Sequence, residues 1–143
     1  MFSGYVSYSL LAVGAYALVA PLMRVATTGP NAVPSDVAAA ISNTVLVAAA
    51  VGVVVFSDQE FAPHVGSPKT VHVLLAGLCL AVGILAYYRA LALGPISVVT
   101  PIFATFLVFS SAIGVLVLGE SLSLRKAAGI AFAMLGVYLV AGS

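Results

Sequence analysis

Five long apolar segments limit what this chain can fold into. A membrane-spanning helix needs about 20 mainly apolar residues. Each segment has or approaches that length: Tyr5–Met23, Val37–Phe56, Val71–Leu93, Ile96–Leu118 and Leu124–Val140. Only 6% of the 143 residues are charged, whereas about a quarter are charged in soluble domains. In lipid a helix satisfies its own backbone hydrogen bonds. The sequence therefore predicts an integral membrane protein, an all-α polytopic bundle of five transmembrane helices.

The residue inventory argues against several other classes of protein. The net charge is +1, which indicates no nucleic-acid partner. Cys79 is the single cysteine, which excludes an intrachain disulfide. His64 and His72 are isolated from other ligand-type residues, so we expect no metal and no cofactor. No Ser-His-acid, Cys-His or paired-carboxylate arrangement is present, so we do not expect an enzyme.

The stretch around Gly94 and Pro95 joins two apolar segments and leads into the first candidate site. Glycine suits the end of a helix, and proline prevents the helix from continuing. The third segment should therefore end in a structural turn at Gly94 and Pro95. Pro101 follows in the first turns of the fourth segment; it lacks an N–H, and its ring crowds the Ser97 carbonyl. Backbone groups freed in lipid must be satisfied by protein or by a water-filled cavity, so we expect solute binding there.

Polar side chains near this proline are candidates for lining a solute pathway. Ser97, Thr100 and Ser111 recur at helical spacing on one face of the fourth segment, opposite its phenylalanines. They either line a pathway or bond to the backbone of their own helix. Two tyrosines, on the first and third segments, either contact substrate or serve as packing or interfacial residues. The candidate binding or pathway residues are Tyr16, Tyr87, Ser97, Thr100, Pro101 and Ser111.

Charged residues give fewer candidates, because none lies clearly in the middle of a segment. Arg89, near the end of the third segment, either snorkels to the lipid headgroups or binds a substrate anion. Gly119 should end the fourth segment. Glu120 follows it, and we expect Glu120 to support the turn and the start of the fifth segment. Binding of a coupling ion by Glu120 is the alternative.

A series of short motifs runs from Tyr87 to Val140. They are Tyr-Tyr-Arg-Ala-Leu, Leu-Gly-Pro-Ile-Ser-Val-Val-Thr-Pro-Ile, Leu-Gly-Glu-Ser-Leu-Ser and Leu-Gly-Val-Tyr-Leu. In this order they resemble the EamA-type drug/metabolite transporter superfamily, whose members usually consist of two five-span halves of opposite orientation. The resemblance implies that residues 1–143 form a single five-helix EamA-like transmembrane domain, half of an inverted-repeat transporter. It also implies a pathway lined by the first, third and fourth segments.

The resemblance leads to an expected function. We expect a transporter half-unit that moves a small organic metabolite or drug-like solute by alternating access as a dimer. Two alternatives stay open: a subunit that flips lipid or lipid-linked sugar, and a membrane subunit that only packs against another protein. The expected partners are a small-molecule substrate, the lipid bilayer, and a second copy in an antiparallel homodimer or a separate paired half-unit. The expected location is a prokaryotic plasma membrane.

Basic residues give a weak orientation signal. Lys69, Arg125 and Lys126 fall on one predicted side of the membrane, and Arg24 and Arg89 lie at the boundary of the other side. Lys and Arg favour the inside, and a difference of one residue favours an inside N-terminus only slightly. For half of an inverted-repeat transporter, this weak bias predicts insertion in both orientations and an antiparallel homodimer.

Overall fold

The fold is entirely helical over residues 4–141, the part of the chain that the computed structural model describes. Seven helices occur within these residues: α1 Gly4–Thr27, α2 Ser35–Phe56, α3 Ala62–Val65, α4 Thr70–Leu93, α5 Ile96–Ala104, α6 Phe106–Leu116 and α7 Leu124–Ala141. The predicted all-α class is confirmed.

Four helical stretches in residues 4–141 are long and apolar enough to cross a membrane: α1, α2, α4 and the combined stretch Ile96–Leu116. They correspond to the first four predicted segments, although α1 continues past the predicted end at Met23 to Thr27. The fifth predicted segment is α7, whose first turn contains Arg125 and Lys126. This helix is not one of the four stretches, so the count of five spans stays a prediction.

The chain divides into two compact units, one up to Leu93 and one from Gly94 onward. In the first unit α1, α2 and α4 pack on one another. Small side chains allow membrane helices to approach closely, and three buried alanines have this role here. The buried residues lie at the end of α1, the start of α2 and the end of α4: Ala20, Met23, Thr27, Ala38, Ala39, Tyr87, Tyr88 and Leu91. The core of this unit therefore lies at one end of its helices.

Two arginines connect the helices at this end of the first unit. The Arg89 guanidinium donates two hydrogen bonds to the Asp36 carboxylate, at 3.0 and 2.9 Å, in a bidentate pair. Asp36 lies in the first turn of α2, where the positive end of the helix favours an anion. Arg24 donates from Nη1 to the Leu91 carbonyl oxygen at 2.5 Å. Neither sequence interpretation of Arg89 included its pairing with Asp36.

The second unit contains α5, α6 and α7, and α7 packs on both other helices. The chain leaves α6 through Gly119, whose φ is +69°, a conformation that glycine adopts without steric cost. The Ser123 hydroxyl oxygen then accepts a hydrogen bond from the Lys126 N–H at 3.3 Å and so caps α7. The sequence predicted the end of the fourth segment at Gly119, and the turn places α6 and α7 side by side.

Candidate functional site

A break in the fourth predicted segment is the centre of the candidate site. Helix α5 ends at Ala104 and α6 begins at Phe106. Between them the Thr105 N–H donates to the Ile102 carbonyl, three residues back, at 3.1 Å. In an α-helix it would donate to the carbonyl of Pro101, four residues back. The Thr105 hydroxyl donates to the same Ile102 carbonyl at 2.7 Å, which fixes the break at this residue.

Two backbone carbonyls lose their α-helical donors at this break. Pro101 has no N–H to offer the Ser97 carbonyl, and the Thr105 N–H donates to Ile102 instead of Pro101. Residues four apart lie on the same side of a helix, one turn from each other. Both carbonyls belong to a stretch that is able to span a membrane. In a membrane such carbonyls need another donor, which protein groups, water or a solute can supply. The sequence predicted the loss at Ser97; the loss at Pro101 follows only from the geometry of Thr105.

The hydroxyl groups predicted to line a pathway lie on both sides of the break. Ser97 is exposed and Thr100 half-buried on α5, whereas Ser111 is exposed on α6. The Ser111 hydroxyl donates to the Leu107 carbonyl at 2.8 Å, which is the backbone bonding that the alternative interpretation described. Because Thr105 interrupts the helix, one helical period cannot be extended from Ser97 to Ser111. A common orientation of the three hydroxyls toward a pathway stays a prediction.

The two candidate tyrosines have opposite environments within the first unit. Tyr16, on α1, is 66% exposed. Tyr87, on α4, is buried, and its ring centroid lies 6.1 Å from that of Tyr88. Tyr87 therefore belongs to the core of the unit and Tyr16 to its surface, and substrate contact by either tyrosine stays a prediction.

The turn at Gly94 and Pro95 lies where the sequence predicted it, between the end of α4 and the start of α5. The Pro95 carbonyl accepts hydrogen bonds from the Val98 and Val99 N–H groups at 3.1 and 3.0 Å. Proline suits this position because the first N–H groups of a helix have no intrahelical partner. The turn thus starts α5 at Ile96, five residues before Pro101.

A cleft of about 350 Å³ lies between α6 and α7, and two of the candidate residues, Ser111 and Glu120, line it. Its lining consists of Ser111, Val115, Glu120, Ser121, Leu122, Lys126, Gly129 and Ile130. The Glu120 N–H donates to the Gly114 carbonyl at 3.1 Å, so Glu120 supports the turn through its backbone. The Glu120 carboxylate lies against Gly114, where a Cβ atom would come within 3.2 Å of Oε2. Sequence reasoning did not identify Gly114, because its contact with Glu120 depends on how the chain folds back after the turn.

Metal-binding side chains are scattered along the described chain. His64 lies on the short helix α3 and His72 in the first turn of α4, and Cys79 is exposed. Residues 4–141 contain no group of three or more His, Cys, Asp or Glu side chains that could hold a metal ion.

Comparison with known proteins places this geometry in context. The chain matches the EamA-like transporter family over residues 4–142. It is 33% identical over 135 residues to a protein from Sinorhizobium sp named "Uncharacterized transporter in cobO 3'region", and the similarity covers 94% of each chain. The two proteins are therefore of about equal length. No solved structure matches the chain.

Proposed function

Because the chain belongs to the EamA-like transporter family, we propose that this membrane transporter moves a small organic metabolite or drug-like solute by alternating access. The observation that carries the proposal is the broken helix at Pro101 and Thr105, inside a stretch able to span the membrane. Transporters commonly bind their solutes at such breaks, where backbone groups lie open in the middle of the membrane. The Ser97 and Pro101 carbonyls would accept hydrogen bonds from donor groups of the solute.

We further propose that one chain is a half-unit with five spans, α7 being the fifth. A single chain of 143 residues is too small to enclose a pathway, since the common plan uses two repeats related by inversion. The family relative of about equal length supports a half-size unit. A second copy in antiparallel orientation, or a separate paired half-unit, would complete the pathway. The prokaryotic plasma membrane is the proposed location, in line with the bacterial relative.

The test is transport by purified protein in liposomes. A labelled pool of small metabolites is offered to proteoliposomes, and retained solutes are compared with those in liposomes without protein. We expect one or more solutes to accumulate. A membrane subunit that only packs against another protein would accumulate none, so an empty result from correctly reconstituted protein would contradict the proposal.

The Pro101→Ala variant tests the role of the break within the same assay. Alanine supplies the N–H that the Ser97 carbonyl lacks and removes an interior proline that costs a helix about 3 kcal/mol. We therefore expect uptake to fall about tenfold or more while thermal stability is retained or raised. Pro30→Ala, in the exposed loop between α1 and α2, is the matched control and should transport normally. Unchanged uptake by Pro101→Ala would remove the break from the mechanism.

An apolar groove on α6 and α7 favours one alternative function, the movement of lipid. It is lined almost wholly by aliphatic side chains: Val108, Ser111, Ala112, Val115, Leu116, Leu122, Ala127, Ile130, Ala131 and Met134. An acyl chain would fit such a surface by apolar contact alone. Fluorescent phospholipid placed in one leaflet of the proteoliposomes tests this function, which predicts protein-dependent exchange between leaflets.

A further inference from the structure

The cleft beside Glu120 and the apolar groove form one continuous surface of α6 and α7. Each has a volume of about 350 Å³, within the usual range for small-molecule sites. Four lining residues belong to both: Ser111, Val115, Leu122 and Ile130. One end of the combined surface holds a carboxylate, and the other end holds only aliphatic side chains. A ligand of matching chemistry has a polar head and an apolar tail.

Glu120 supplies the carboxylate at the polar end. Among residues 4–141 it takes part in no ion pair and accepts no hydrogen bond. Lys126 lines the same cleft, but its Nζ donates to the Ser121 carbonyl at 3.1 Å instead. The carboxylate is exposed, between the last turns of α6 and the start of α7, so a cation can reach it and donate charge-assisted hydrogen bonds.

Two glycines hold the carboxylate in this place. Gly119 turns the chain with φ +69°, and the Glu120 N–H donates a hydrogen bond to the Gly114 carbonyl. Gly114 is buried, and any side chain there would have its Cβ 3.2 Å from Oε2. The carboxylate can rest on α6 because this position has no side chain. Its placement is thus built into the turn and does not depend on Lys126.

We propose that this surface binds a protonated primary amine that carries a linear apolar tail. The proposal rests on the proposed function: it adds to that transporter a binding surface other than the break at Thr105 and names the chemical class of its ligand. The ammonium donates to the Glu120 carboxylate in charge-assisted hydrogen bonds. The Ser111 oxygen, which donates its proton to Leu107, keeps its lone pairs to accept a further N–H. The tail lies along the aliphatic groove toward Met134 and is removed from water there.

The binding experiment uses 6,6,6-trifluorohexylammonium and the full-length protein in lipid nanodiscs, with the fluorine NMR line width as readout. Empty nanodiscs correct for partition of the amine into lipid. We expect saturable binding that is at least about tenfold weaker for trifluoropropylammonium, which has three fewer methylenes to bury. The neutral trifluorohexanol should also bind at least about tenfold more weakly, because it lacks the charge-assisted bonds.

Two variants with opposite expected signs identify the head-group site. Glu120→Gln keeps the backbone bond to Gly114 and should weaken hexylammonium binding about tenfold or more. Lys126→Gln removes a positive charge from the cleft and should tighten it. Glu60→Gln, in the loop after α2, removes the same charge elsewhere and should change nothing. If Glu120→Gln does not fold, Gly114→Ala serves in its place: its Cβ would lie 3.2 Å from Oε2, so the carboxylate must shift by a few tenths of an ångström and binding should weaken.

The outcomes separate this proposal from the proposed function. Binding no greater than in empty nanodiscs, or affinity unchanged in both Glu120→Gln and Lys126→Gln, overturns the amine site. If a metabolite pool is nevertheless taken up, the transporter function stands without it. Amine binding with the expected variant pattern but no uptake of any solute supports the site and contradicts the proposed function.

Discussion

Gly114 and Gly119 lie five residues apart and are needed for different physical reasons. Gly119 has a positive φ of 69°, so its requirement is conformational. Gly114 is an ordinary helical residue, and its requirement is space for the Glu120 side chain. The first role was predictable, because glycine after an apolar helix is a local signal for its end. The second depends on how the chain folds back after the turn, which no local pattern reveals.

The Gly119→Ala variant tests the conformational role. A Cβ atom in the left-handed region costs about 1 kcal/mol or more, so we expect unfolding in mixed detergent micelles to become easier by about that amount. Gly119→Asn should cost less, because asparagine tolerates this region better.

Gly129→Ala is the control for the loss of a glycine in the same unit. It lies inside α7, where a Cβ atom meets nothing within 4 Å, and alanine favours a helix by about 0.5–1 kcal/mol over glycine. The expected change therefore has the opposite sign. Equal destabilisation by Gly119→Ala and Gly129→Ala would show that the left-handed turn is not the cause.

The pairs of Arg89 with Asp36 and of Arg24 with Leu91 show where sequence reasoning stops. Their partners lie 53 and 67 residues apart along the chain. Helical periodicity states which residues share a face but not which helices meet. The sequence therefore offered lipid headgroups or an anion for Arg89, while the fold supplied a carboxylate at the start of α2.

At the scale of helices, a turn or break was predictable from the sequence when its cause was a residue that acts on its immediate neighbours. The turn at Gly94 and Pro95 and the disturbance at Pro101 were predictable because proline acts on its own neighbours. The second break, at Thr105, was not, since threonine is tolerated in helices and its hydroxyl can bond to the backbone without ending one. The fifth span stays a prediction, because α7 is not one of the stretches in residues 4–141 that are long and apolar enough to cross a membrane.

Accessibility of single cysteines tests which side of α5 and α6 meets water. In a Cys79→Ala background, Ser97→Cys and Ser111→Cys should react with a membrane-impermeant thiol reagent. Phe109→Cys should be protected, because Phe109 is 68% exposed on the protein surface and an apolar surface in a membrane span meets lipid. The readout is the fraction labelled in intact vesicles before and after solubilisation.

The Cys79→Ala background is needed because Cys79 is itself exposed and could react with the thiol reagent. Labelling after solubilisation shows that each cysteine is reactive once lipid is removed. Equal protection of Ser97→Cys and Phe109→Cys in vesicles would contradict a polar pathway on this side of the break.

For the whole molecule, the main open question is what covers the exposed apolar side chains of α1. Most large side chains from Tyr5 to Leu18 are more than half exposed, Tyr16 among them, and the buried residues of α1 begin at Ala20. In the membrane such a surface is covered either by lipid or by a second protein chain. Family membership and helix class followed from composition and motif order, but composition does not state which of these covers the surface. The orientation of the chain in the membrane decides whether an antiparallel copy is available.

The distribution of basic residues makes orientation testable. With five spans, Lys69, Arg125 and Lys126 lie on the N-terminal side, against Arg24 and Arg89 on the other. A difference of one residue orients a chain only weakly, so we expect C-terminal reporters of both the inside and the outside type to give signal.

A lysine inserted at the turn after Gly94 should cancel the bias in basic residues and move the C-terminus toward the inside. A lysine inserted in the loop at Glu60, the matched control, should move it toward the outside. These opposite responses require a chain that inserts both ways, and such a chain can pair with its own inverted copy. A C-terminus found on one side only, and unmoved by either lysine, would exclude the antiparallel homodimer and leave the partner chain unidentified.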